Sequence, residues 1–288
     1  MRVILCFLVG TCMFIHAARA QNNTATGVGA GNGNSGSDNT SFGQQANGAV
    51  TGSGNTSVGS LAGLVISSGE QNTLVGYISG RRITTGTHNA FFGRATGFQQ
   101  TTASSNSFFG SGAGYNTTTG SNNVMIGTYA GAGNVVGTGS VFIGYYAGYS
   151  ETASNKLYID NSTTATPLIY GDFSSDQVGI NAVPPPGYTL AVGGKAVMEE
   201  VVVKLRSNWP DYVFEDAYHL PTYAELDHYI QINRHLPGVP AEADVKAQGV
   251  SLGEMNAILL QKVEELTLYI LEQNKRILQL EKRIDEQR

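Results

Sequence analysis

The chain has 288 residues, 37 of them glycine, and a formal net charge of −5. From Gln21 to Ser150 it holds two acids and three bases, and from Glu151 onward 20 acids and 12 bases, so a nearly uncharged half precedes an acidic, strongly charged one. No basic cluster suits a polyphosphate, which argues against nucleic acid as a partner; both cysteines, Cys6 and Cys12, fall in the first 20 residues, so the remainder carries no disulfide or thiolate chemistry.

Residues 1–20 read as a secretory signal peptide. Arg2 supplies the positive start, Val3 to Ile15 is an apolar run too short to anchor in a bilayer, and Ala18-Arg19-Ala20 is a small-x-small cleavage site. The expected location is therefore outside the inner membrane, secreted or at the cell surface. No other run is long and apolar enough for a membrane-spanning anchor. Residues 21–35 read as a flexible Gly/Asn-rich lead. The Gly27-x-Gly29-x-Gly31-x-Gly33 string inside it has neither the preceding strand nor the following helix of a dinucleotide loop.

From 36 to 150 the sequence repeats. An Asn-x-x-apolar-Gly string begins at Asn39, Asn55, Asn72, Asn89, Asn106 and Asn123, with Ser140 in the seventh place. The spacing is 16 once and 17 thereafter, and a second glycine column follows at Gly63, Gly80, Gly97, Gly114, Gly131 and Gly148. The residue before the first glycine is Phe42, Val58, Val75, Phe92, Phe109, Ile126 or Ile143, and two places earlier stands a smaller residue, Thr40 through Val141. Period-two spacing puts these two columns on one face of a short strand. The glycines allow sharp turns, and the asparagines suit an amide ladder. Each copy thus predicts one coil of a parallel β-solenoid, rising ~4.8 Å per coil. Such a coil encloses little core, so lateral association of several chains is expected.

Copies such as Asn123-Val-Met-Ile-Gly-Thr-Tyr-Ala-Gly131 resemble the head repeats of YadA-like trimeric adhesins and of phage tail-fibre proteins. The resemblance covers 36–150 and implies a trimeric left-handed β-roll. The membrane β-barrel strands that end those adhesins do not occur here.

Residues 151–206 read as a β neck. Its expected strands are Lys156–Asp160, Pro167–Tyr170, Gln177–Ile180, Tyr188–Val192 and Glu200–Lys204, with Pro184-Pro185-Pro186 as a stiff spacer. Residues 207–250 form a helical adaptor. Thr222-x-x-Glu225 is a capping box opening a helix to about Asn233, and Ala241 to Gln248 is a short helix stopped by Gly249. Ser251-x-x-Glu254 opens the last segment, 251–288, which carries a heptad seam. Position a reads Asn256, Val263, Ile270, Ile277 and Ile284, and position d reads Leu252, Leu259, Leu266, Gln273 and Leu280. These residues predict a coiled coil for oligomerisation. The a/d choices alone favour two strands, whereas the head repeats imply three chains. From Trp209 onward the sequence also resembles the terminal assembly modules of such fibres.

Enzyme chemistry has weak support. His88, His219, His228 and His235 are read as turn, surface and helix-end residues, with Asp211, Asp216 and Asp227 the nearest carboxylates. Ser207, with Lys204 and Lys246, lacks the local pattern of a self-cleaving fibre chaperone. Gly194-Lys195 lacks the rest of a P-loop, and the single base Lys246 within 236–251 does not suit a zipper DNA binder. Thr84-Thr85, Thr101-Thr102 and Thr118-Thr119 stack at the repeat period and could form a binding array. The sequence thus points to a non-enzymatic, cofactor-free homotrimeric fibre that adheres to a surface, glycan or matrix, or else to a spacer or a tail-fibre-like host-recognition protein. Any recognition is assigned to Arg81, Arg82, Arg94, Phe98, Tyr115 and Tyr149.

Overall fold

The computed structural model describes residues 22–204 and 209–287. The expected signal peptide, residues 1–20, and Ser207 lie outside them. Two compact units divide the chain, one up to Ala196 and one from Val197.

The first unit is a β-solenoid followed by a short antiparallel addition. Eight strands of three residues each, β1 (Thr24–Thr26), β2 (Thr40–Phe42), β3 (Thr56–Val58), β4 (Thr73–Val75), β5 (Ala90–Phe92), β6 (Ser107–Phe109), β7 (Val124–Ile126) and β8 (Val141–Ile143), pair in parallel and in sequence order. Register follows the repeat: Phe91 lies opposite Phe108, and Phe108 opposite Met125. β9 (Lys156–Ile159) continues the parallel order, β10 (Ile169–Asp172) and β11 (Gln177–Ile180) run antiparallel, and β12 (Leu190–Val192) pairs in parallel with β11.

Three expectations are corrected. The first concerns the glycine-rich lead. β1 pairs with β2, the main-chain N–H of Asn39 donates to Asn23 Oδ1 at 2.8 Å, and Gly27, Gly29 and Gly31 take positive φ. The segment is an additional solenoid turn: its glycines occupy the same turning positions as those of later copies, which composition alone disguises as flexibility.

The second concerns how much core a coil encloses. The core column is the middle residue of each strand, Ser41, Ser57, Leu74, Phe91, Phe108, Met125 and Phe142, all at 0% exposure. The Phe91 and Phe108 rings stack at 4.8 Å with 3° between planes. An alanine column, Ala46, Ala62, Ala113, Ala130 and Ala147, and a third column, Val50, Ile66, Ile83, Gln100, Thr117 and Asn134, complete the interior. Each coil therefore has a core of its own. The columns that the period-two pattern picked out lie on the opposite face, where Phe42, Val58, Phe92, Phe109 and Ile126 are 37–41% exposed.

The third concerns the β neck, at Glu200–Lys204 and at Pro167–Tyr170. No strand forms at Glu200–Lys204, and Val201, Val202 and Val203 are exposed. β-branched composition alone does not make a strand without an edge to pair with. The expected Pro167–Tyr170 strand is displaced to Ile169–Asp172, where Asp172 meets Lys156 across the pair with the Lys156 Nζ to Asp172 Oδ2 distance at 2.6 Å.

Glycine is required where the turns leave no room. A Cβ on Gly93, at φ +141°, would sit 2.6 Å from the carbonyl oxygen of Gly110. One on Gly97, at φ +58°, would collide with the Phe91 ring. Two further positions per turn are left-handed without being glycine. Ile78, Ala95, Tyr129 and Tyr146 mark one, and His88, Ser105, Asn122 and Asn155 the other, with φ from 53° to 60°.

The asparagine ladder is present. Each side-chain Oδ1 accepts the main-chain N–H of the next asparagine, from Asn55 on Asn39 to Ser140 on Asn123, at 2.9–3.1 Å. The Nδ2 groups donate to turn carbonyls such as Gly86 O and Ala103 O.

The second unit has a 3-10 helix (Pro210–Phe214), α1 (Tyr223–Asn233), α2 (Glu242–Gln248) and α3 (Leu252–Asp285). The Thr222–Glu225 capping box forms in both directions, and Ser251 Oγ accepts the Glu254 N–H. Gly249 ends α2 at φ 75°.

Candidate assembly and recognition surfaces

The outward face of β2–β8 is a ladder of apolar side chains at one position per turn. Phe92 and Phe109 stack on it at 4.8 Å with 5° between planes. Because every turn repeats the same backbone, this face is continuous along the solenoid and half-exposed along its length.

On α3 the intrachain contacts use one strip and leave another free. Tyr218 donates its hydroxyl to Glu265 Oε1 at 2.6 Å, Gln261 Nε2 donates to the Tyr218 oxygen at 3.1 Å, and Tyr269 donates to the Pro221 carbonyl at 2.5 Å. Lys262 Nζ reaches both Glu265 oxygens at 2.8 Å. Burial works against the Glu265 charge, but the bonds from Lys262 and Tyr218 hold its carboxyl below the usual range. Burial and the Glu265 carboxylate push the Tyr218 phenol up to about 12. The seam residues Leu252, Leu259, Val263, Leu266, Ile270, Ile277, Leu280 and Ile284 stay 50–63% exposed, and Gln273 is exposed among them.

The six residues assigned to recognition fall into separate groups. Arg81, Phe98, Tyr115 and Tyr149 share one column of the repeat. The Arg81 and Arg82 guanidinium carbons lie 5.9 and 5.8 Å from the Phe98 ring centre, within cation–π reach, and Phe98 stacks on Tyr115 at 5.1 Å. Arg94 stands on a different column, with Tyr77 and Tyr145. Tyr149 belongs to a second cluster with Tyr129, Tyr145 and Tyr146, centred on Tyr146, whose three neighbouring rings lie at 4.5–5.2 Å. Burial raises the Tyr146 phenol above its ordinary value. Those three other tyrosines were missed, although their 17-residue spacing from earlier turn positions marks them.

The threonine array is half consumed by the fold. The Thr84, Thr101 and Thr118 hydroxyls donate to carbonyls of the next turn at 3.1–3.3 Å, which leaves Thr85, Thr102 and Thr119 exposed. His88 sits at a left-handed turn, its Nδ1 3.0 Å from Thr87 Oγ1. Among the described residues no three His, Cys, Asp or Glu side chains group to hold a metal ion, and no helix is long and apolar enough to cross a membrane. Comparisons with family models, curated proteins and solved structures returned no match.

Proposed function

We propose that this chain is a non-enzymatic, exported fibre subunit that packs side by side with two further copies and presents its solenoid to a surface, glycan or matrix. The observation that carries the proposal is the unbroken outward ladder from Phe42 to Ile126, half-exposed in a solenoid whose interior is already filled. A face of this kind is covered in a stable protein, since apolar area removed from water contributes ~25 cal/mol per Å². The free heptad seam of α3 supports the same reading, because its own chain packs against other helix positions. Three copies follow from the resemblance of the repeats to trimeric heads. Recognition would then act through many weak contacts multiplied by three chains.

Full-length chain, after export, is applied to immobilised glycans and matrix proteins beside a Phe109→Asp variant, whose substitution lies on the outward face. The proposal expects retention of the assembly and a loss of roughly 100-fold or more in apparent affinity for the dissociated variant. Equal retention of both proteins would contradict multivalent recognition, and no retention of either would favour a spacer.

A further inference from the structure

The interior column Val50, Ile66, Ile83, Gln100, Thr117, Asn134 reaches Glu151 at the next repeat position. The first six are at most 1% exposed. A carboxylate is the wrong residue to continue such a column, because an uncompensated buried charge is expensive. Here the column opens. The chain leaves the solenoid path after β9 through residues 160–168, and Glu151 is only half-buried.

The result is a cleft of about 180 Å³ lined by Tyr149, Ser150, Glu151, Tyr158, Thr163 and Thr164 among others. Its small size suits a single sugar ring rather than an extended chain. Glu151 is fixed in it. Its Oε1 accepts the Ala153 N–H at 2.7 Å, and its Oε2 accepts the Tyr158 hydroxyl at 2.9 Å. Each carboxylate oxygen can accept two hydrogen bonds, so an acceptor position on each stays open. Tyr149, 38% exposed, supplies an aromatic wall, and Thr163 adds an exposed hydroxyl, whereas the Thr164 hydroxyl is held by Thr166. No basic side chain lines the cleft. An amphipathic ligand with hydroxyl donors and an apolar C–H face fits this set, and an anionic one is repelled.

We propose that this cleft binds one neutral hexose ring at the end of a glycan chain, with Glu151 accepting two sugar hydroxyls and Tyr149 covering the apolar face. The assignment rests on the recognition function proposed above and names its ligand class. It also differs from the arginine-bearing group at Phe98, which favours anions.

The test is calorimetric titration of the full chain with methyl glycosides of neutral hexoses, with the matching uronates, and with oligosaccharides ending in the same hexose. Glu151→Gln, Tyr149→Ala and, as a control several turns away on an exposed carboxylate, Glu70→Gln are titrated in parallel, each with its thermal midpoint recorded. Binding of at least one methyl hexoside and of its oligosaccharide is expected, with the uronate weaker. Glu151→Gln and Tyr149→Ala should each weaken binding tenfold or more at an unchanged midpoint, and Glu70→Gln should leave it unchanged. Wild-type affinity in Glu151→Gln, or a uronate bound as tightly as the neutral sugar, overturns the proposal. Binding of free reducing hexose without the methyl glycoside overturns the glycan-end form. If no hexoside binds while the chain is still retained on glycan or matrix surfaces, the cleft assignment falls and the recognition function stands. If it is retained on neither, both fall.

Discussion

The main-chain N–H of Asn106 donates to the side-chain Oδ1 of Asn89, one turn earlier, at 3.1 Å. Asn89 Nδ2 in turn donates to Asn72 Oδ1 at 2.9 Å and to the Ala103 carbonyl at 3.0 Å. One fully buried side chain thus joins successive turns. Asn89→Ala strands the Asn106 N–H in a dry interior, where an unmet donor costs ~1–3 kcal/mol and each lost bond adds ~1. A destabilisation of about 3–5 kcal/mol is expected in denaturant unfolding, whereas exchange of the exposed Asn116 for Ala should cost under about 0.5 kcal/mol.

The left-handed positions that are not glycine give a prediction of opposite sign. Ser105 holds φ 59°, and the equivalent place two turns on is Gly139 at φ 67°. L-residues pay ~1–2 kcal/mol for that conformation, partly offset by the flexibility glycine loses on folding. Ser105→Gly should therefore raise the unfolding free energy by about 0.5–1 kcal/mol, and a lowered midpoint would show that strain at these turns is not relieved this way.

Adjacent phenylalanines separate the core from the outward face. Phe108 is buried inside its turn, and its neighbour Phe109 faces outward at 41% exposure. Phe108→Ala should cost ~3–5 kcal/mol in unfolding. Phe109→Asp should leave the far-ultraviolet spectrum unchanged while lowering the mass in light scattering. If both act only on unfolding, the outward ladder is not an interface.

The repeat period, the parallel pairing and the helix caps were legible because each is a local rule applied many times. The inward face was not. Glycine and asparagine columns are nearly constant and draw the eye, whereas the middle column varies from Ser41 through Leu74 to Phe142 and carries no such mark. Its identity depends on which way a three-residue strand faces, and turns set that direction. Residues 22–35 were hidden because glycine-rich sequence serves flexible segments and tight coils equally. On the recognition side, the Arg81–Phe98–Tyr115 grouping follows directly from the 17-residue spacing. Glu151 required knowing where the solenoid stops.

Tyr218 gives the second unit an alkaline signature. Its phenol holds its proton more tightly in the folded chain, up to about 12 against an ordinary value near 10. A raised folded-state value means that the associated stability is fully present below about pH 10 and is lost as pH rises through about 12. Helical unfolding followed between those values should show this fall, and Tyr218→Phe should flatten it. An unchanged slope in that variant would assign the pH dependence to other groups.

The most direct test of the account is the molar mass of the chain from Gln21 to Arg288, by light scattering coupled to size exclusion. Association through the outward ladder and the α3 seam predicts a particle of three chains that falls apart in Phe109→Asp. A particle of two chains would contradict the trimer and leave the seam's own a/d preference in control. A monomer with the wild-type sequence would contradict the central claim that these two exposed apolar surfaces are covered by further copies of the chain.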